Sequence, residues 1–160
     1  MALSTKALDY LSRGIISEIA AYVFYKTGAQ NLSDEELVAA MQHFADEERK
    51  HFLTLEHQYD QNVRSERWVT YRDIMNQDGL PEIDEEMGDR HVSRLERVKK
   101  ASEIMDILDI ALELEQDAYN LYKEASEKAD DAELRKTFEY LTQFEMGHIN
   151  NVKQMMAENK

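Results

Sequence analysis

The sequence predicts an all-α protein: a four-helix bundle made of two duplicated helical hairpins joined by a long crossover. Three observations carry that reading. The chain repeats itself at an offset of 97 residues. Apolar residues step by threes and fours through four long segments, as on a helix that buries one face. One Pro and five Gly in 160 residues leave few places to break a helix.

Repeat 1 (5–59) superposes on repeat 2 (102–156) without a gap, and 12 of the 55 paired positions are identical. In the first helix Leu8, Leu11, Ile15, Glu18, Tyr22 and Tyr25 form the seam, with Ser4 or Thr5 as the expected N-cap. In the second, Leu37, Met41, Phe44, Glu48, His51 and Leu55 do so, capped by Ser33 or Asp34. The crossover, 60–101, holds the only Pro and the only Trp. Asp78-Gly79-Leu80-Pro81 signals a turn there, Glu82 to Asp89 reads as an acidic loop, and Arg90 to Lys100 as an exposed helix. The third helix repeats the first through Met105, Leu108, Leu112, Glu115, Tyr119 and Tyr122, capped by Ser102. The fourth repeats the second through Leu134, Phe138, Leu141, Glu145, His148 and Val152, capped by Asp130 or Asp131. Residues 1–160 thus read as a single domain of two antiparallel hairpins, with helices of roughly 38 Å.

Composition narrows the function. Lys and Arg total 19 against 33 Asp and Glu, a net charge of −14. Such a chain repels phosphate backbones, so no nucleic acid partner is expected, and it attracts cations. No cysteine is present, which excludes disulfides, thiolate-ligated zinc and iron–sulfur clusters. The first fifteen residues lack the apolar core of a signal peptide, and the longest apolar run, Ile19 to Tyr25, is too short for a bilayer. A soluble, cytoplasmic protein with no membrane partner is expected.

The informative residues are polar ones in apolar seams: Glu18, Glu48, His51, Glu115, Glu145 and His148. Glu48 and His51 are three apart and share a helical face, as do Glu145 and His148. Each seam Glu lies near the middle of its helix, so four carboxylates and two imidazoles can converge at one level. Burying them without a counter-ion costs several kcal/mol per charge. No seam Lys or Arg is placed to neutralise them. Two divalent cations would, with neutral imidazoles as ligands. Carboxylate and imidazole without thiolate suit iron or manganese, with zinc able to substitute. Two Glu plus two Glu-x-x-His, one from each helix, is the di-iron or di-manganese carboxylate pattern of four-helix bundles. The competing reading is a bundle with protonated or hydrated core Glu. Placement makes Glu48 and Glu145 the expected bridging carboxylates and Glu18 and Glu115 the terminal ones, with one His per metal. Tyr25 and Tyr122, two turns beyond Glu18 and Glu115, either hydrogen-bond a ligand carboxylate or pack as plain core. His43, His57 and His91 read as solvated surface, and Glu47, Glu113 and Asp117 as pointing away from the centre. Gly14, one turn before Glu18, either makes room beside the metals or has no role.

With these residues in view, the sequence resembles a rubrerythrin-like member of the ferritin-like superfamily. The resemblance rests on E18-I-A-A-Y-V-F-Y25 with E48-R-K-H51, and on E115-Q-D-A-Y-N-L-Y122 with E145-M-G-H148. It implies a ferritin-like bundle holding two iron ions, reaction with peroxide or dioxygen, and a homodimer. It makes the six seam residues the metal ligands, with Tyr25 and Tyr122 supporting them. Rubrerythrins proper carry a further Glu one turn beyond the third-helix ligand, which takes part in a redox-linked ligand change. Here that position is Ala118, and its pseudo-symmetric counterpart is Ala21. The cysteines of a rubredoxin domain are also missing, so a separate electron-donor protein is expected. The ligand set resembles that of bacterioferritin too, but the 30-residue spacing from Glu18 to Glu48 and from Glu115 to Glu145 is closer to the short rubrerythrin-like proteins. Three functions are therefore expected in descending order: a di-iron peroxidase or oxidase, a ferroxidase handling iron, and a metal-free interaction module using Trp68 and Tyr71.

Overall fold

The computed structural model describes the backbone of residues 5–63 and 85–160, and the side chains of 6–59 and 90–160. Ser4, Trp68, Tyr71, the turn at Asp78–Pro81 and the start of the acidic run at Glu82 lie outside the described residues. Within them the chain forms five helices and no strand: α1 (Thr5–Gln30), α2 (Glu35–Val63), α3 (Glu85–Lys100), α4 (Ile104–Lys128) and α5 (Ala132–Glu158).

The four long helices are the predicted seams. α1 and α2 form one hairpin and α4 and α5 the other, turned through 31–34 and 129–131. The turns are stabilised by the expected aspartates. Asp34 Oδ1 accepts from the Glu36 and Leu37 amides at 2.9 and 3.1 Å, and Asp131 Oδ1 from the Leu134 amide at 2.8 Å. Ser102 does not cap α4. Glu103 occupies that position, with extended backbone and no side-chain hydrogen bond, in the three-residue connection 101–103.

The hairpins associate with α1 beside α4 and α2 across from α5, and their apolar side chains fill two layers. One contains Leu11, Ile15, Leu55, Tyr59, Tyr122, Phe138 and Leu141; the other Phe24, Tyr25, Met41, Phe44, Ile107, Leu108 and Val152. Fully burying each such side chain contributes about 1.5–3 kcal/mol. Between the layers sit the six polar seam residues, none more than 4% exposed.

α3 differs from expectation in extent and in burial. It begins at Glu85, so the end of the acidic run is helical, and its inner face is buried on α1 and α4 through Arg94 and Val98. Arg94 pairs with Asp117, and Arg97 makes a two-pronged contact to Glu113 at 3.0 and 2.7 Å. Its carbonyl end is closed by Asn31, whose Nδ2 donates to the carbonyls of Val98 (2.7 Å) and Ala101 (3.1 Å). Glu113 and Asp117 thus do point away from the seam, and they dock the crossover.

His91 on α3 is half-buried, not solvated: both ring nitrogens are covered and without a hydrogen-bond partner. Burial, reinforced by the charges of Arg94 and Arg90, holds its pKa down to about 4. The folded value lies below the unfolded 6.5, so this stability is present above pH 6.5 and is lost as pH falls towards 4. The gap sets an upper size of about 3 kcal/mol. His91→Phe is expected to flatten the fall in denaturation midpoint between pH 6.5 and 4; an unchanged pH profile would contradict a buried neutral imidazole.

Candidate metal centre

The polar level takes one Glu from α1 (Glu18), one from α4 (Glu115), and a Glu/His pair from each of α2 (Glu48, His51) and α5 (Glu145, His148). Mid-helix placement and the three-residue spacing bring all six together. They form two overlapping groups: Glu18, Glu48, His51 and Glu145, and Glu48, Glu115, Glu145 and His148. In each group the ligand atoms lie within 4.8 Å of one another. Glu48 and Glu145 belong to both.

Both imidazoles present Nδ1 to the carboxylates. His51 Nδ1 is 3.7 Å from Glu18, 3.9 Å from Glu48 and 3.9 Å from Glu145. His148 Nδ1 is 2.9 Å from Glu48, 3.4 Å from Glu115 and 3.6 Å from Glu145. Yet both Nδ1 atoms are buried without a hydrogen bond, as are Glu18 Oε2, Glu48 Oε1, Glu115 Oε2 and both oxygens of Glu145. Donor atoms left unpaired at such depth each cost about 1–3 kcal/mol. Their convergence is what a pair of cations would satisfy, so the residues fit a two-metal centre.

Electrostatics separates the four carboxyls into two kinds. Burial, added to the charges of Glu18 and Glu115, pushes Glu48 well above the usual carboxylate range. Burial, with the charges of Glu115 and Glu48, does the same to Glu145. Burial also opposes ionisation of Glu115, but the neighbouring Glu145 and His148 and the hydrogen bond from Tyr25 outweigh it and lower its pKa to about 2. Glu18 is lowered likewise, by Glu48, His51 and Tyr122 against its burial. Burial disfavours the His148 imidazolium, yet Glu115 and Glu145 raise it to about 11. Without metal, both shared carboxyls are shifted towards the protonated form, so cations would compete there with protons.

Each predicted tyrosine bonds a carboxylate, and the pairing crosses the repeats. The Tyr25 hydroxyl donates to Glu115 Oε1 at 2.5 Å, and the Tyr122 hydroxyl to Glu18 Oε1 at 2.6 Å. Each hairpin therefore orients the other's lone carboxylate. Gly14 explains how Tyr122 reaches its place. A Cβ there would sit 3.0 Å from Leu55 Cδ1 and 3.1 Å from Tyr122 Cε1, so Gly14 makes room for the ring that supports Glu18. Ala118 and Ala21 are both buried, each within one of the two apolar layers.

One residue was missed. Glu47 points into the centre's flank: its Oε2 accepts from His148 Nε2 at 2.5 Å, and its Oε1 from His43 Nε2 at 2.6 Å. Its position beside Glu48, about 100° round the helix, reads as off the seam. The His148 side chain reaches from α5 to that face of α2. The available signal was the repeat itself, which pairs Glu47 with Phe144 and His43 with Tyr140. His43 and His57 are exposed, as expected.

A bundle of two such hairpins with a crossover helix, closed around paired carboxylates and imidazoles, has a ferritin-like fold with a buried site able to hold a metal pair. The chain belongs to the rubrerythrin family, whose model matches residues 9–156. In fold it is similar to a ferritin-like, diiron-carboxylate protein from Bacillus anthracis str. Ames (TM-score 0.69, 17% identity, 94% of this chain and 95% of that one). It is similar also to a hypothetical protein from Pyrococcus furiosus (TM-score 0.66, 22% identity, 94% and 88% covered). No curated protein matches the sequence. Among the described residues no helix is long and apolar enough to cross a membrane.

Proposed function

We propose that this protein is a non-haem di-iron oxidoreductase of rubrerythrin type that reduces hydrogen peroxide, or dioxygen, at a carboxylate-bridged centre. The ligands are Glu18, Glu48, His51, Glu115, Glu145 and His148. The observation that carries the assignment is the double membership of Glu48 and Glu145: each offers oxygen to both four-residue groups, as bridging carboxylates must. Carboxylate and imidazole donors suit iron, with manganese or zinc as substitutes. Bound iron would supply the two electrons that, with two protons, convert hydrogen peroxide to two waters.

The chain's own residues do the rest. Glu48 and Glu145 span the two positions. Tyr25 and Tyr122 hold Glu115 and Glu18 in one orientation through their hydroxyls. The apolar layers above and below keep bulk water from the site. Electrons return from a separate electron-donor protein, and the working unit is a cytoplasmic homodimer.

The test is anaerobic titration with ferrous iron, then stoichiometric hydrogen peroxide or air, following the near-ultraviolet absorbance of oxidised iron. Saturation at two iron per chain, with peroxide reacting faster than air, is expected. Preference for oxygen with continued uptake beyond two would instead make the protein a ferroxidase. No binding would leave the bundle without metal chemistry.

A further inference from the structure

The two halves of the centre are related by a 97-residue repeat, but the surroundings of their imidazoles are not. His148 Nε2 meets the carboxylate of Glu47 at 2.5 Å. Glu47 is itself held from outside by His43, whose side chain is 71% exposed. At the corresponding place beside His51 the sequence has Phe144. Its ring stands perpendicular to that of His51 with centroids 4.1 Å apart, and Tyr140, where the other half has His43, stands 6.2 Å from the same imidazole. Among the described residues no carboxylate lies within ion-pair distance of His51 Nε2.

We propose that Glu47 is a positioning residue that makes the two metal positions unequal, so that the His148 position binds first and more tightly than the His51 position. The inference rests on the two-metal reading above. A carboxylate at Nε2 fixes the ring with its proton on that nitrogen, which leaves Nδ1 as the donor facing Glu48, Glu115 and Glu145. It also increases the basicity of the imidazole and limits its rotation. Aromatic rings flank both imidazoles, Phe144 and Tyr140 beside His51 and Phe44 and Phe144 beside His148, so the carboxylate of Glu47 at His148 Nε2 is what distinguishes the two. Supporting partners of this kind are worth about 10–100-fold in metal affinity. That gap is enough to separate two otherwise similar positions into two binding steps.

Cobalt(II) titration of the metal-free protein tests this, because it reads each step without any turnover. The wild type is expected to bind in two resolved steps. In the cobalt-loaded protein, one hyperfine-shifted imidazole N–H resonance should exchange slowly with water and the other fast. Glu47→Ala should weaken the tight step by about 10–100-fold, leave the weaker step in place, and abolish the slow exchange. Glu47→Gln, which keeps an acceptor but not the charge, should fall between the two. The unchanged weaker step and helical circular dichroism guard against misfolding. A tight step within twofold of wild type in Glu47→Ala, or two N–H signals of equal exchange rate in the wild type, overturns the role of Glu47. Absence of cobalt binding in the wild type overturns the two-metal reading, and this inference with it.

Discussion

Glu145→Ala is expected to empty both metal positions, not one. Its Oε1 lies 3.9 Å from His51 Nδ1 and its Oε2 lies 3.6 Å from His148 Nδ1, so its two oxygens face different halves of the centre. Both are buried and unpaired, which leaves them free to bridge. Losing a supporting residue costs about 10–100-fold in metal affinity; losing a shared ligand should exceed that at both steps. Glu18→Ala provides the contrast. Glu18 belongs only to the group containing His51, and its loss should spare the position at His148. Metal analysis after anaerobic loading with ferrous iron distinguishes the two variants. A full complement of iron in Glu145→Ala would reject the bridging role, and peroxide-driven oxidation should vanish together with the iron.

The bundle was legible because the same device was written twice. A Glu in an apolar seam is ambiguous once, since acidic helices produce such placements by chance. Four, with two His three residues on and all in register across a 97-residue offset, are not. Burial of Glu18, Glu48, His51, Glu115, Glu145 and His148 at one level follows from that register. What depends on contacts between hairpins was not legible. That Tyr25 supports Glu115 and Tyr122 supports Glu18, each across the repeat, depends on how α1 lies on α4, which no spacing along one helix encodes. Glu47 escaped for the same reason, since it bonds a residue 101 positions away. α3 has no counterpart in either repeat, so the burial of Arg94 and His91 had no second copy to reveal it.

The double variant Glu48→Gln/Glu145→Gln should bind metal poorly and yet be more stable than the wild type when both are metal-free. Burial and neighbouring negative charge raise both carboxyls above their ordinary pKa. For groups so raised, the favourable contribution is present below the unfolded value of about 4.5 and is lost as pH rises through the folded value. Near neutral pH they therefore weigh against folding. Glu18 and Glu115 run the opposite way: lowered in the folded chain, they contribute above 4.5 and lose that contribution as pH falls. Glutamine has nearly the shape of a protonated glutamate and does not titrate, so it avoids the cost that the raised carboxyls carry near neutral pH. Replacing buried ionic groups by neutral ones of similar volume is often neutral or stabilising by about 1–4 kcal/mol, which at the upper end is a rise of roughly 8–16 °C in melting temperature for a chain of this size. Thermal melts in chelator at pH 7 measure it, and a lower melting temperature for the double variant would show that the carboxyls already satisfy one another without a cation. The size of the rise should shrink towards pH 4.5, where the wild-type pair can hold its protons in both states. On the two-metal reading the same two residues would account for both halves of the behaviour: a cost in the metal-free state, and a place between the two imidazoles from which each could serve two cations at once.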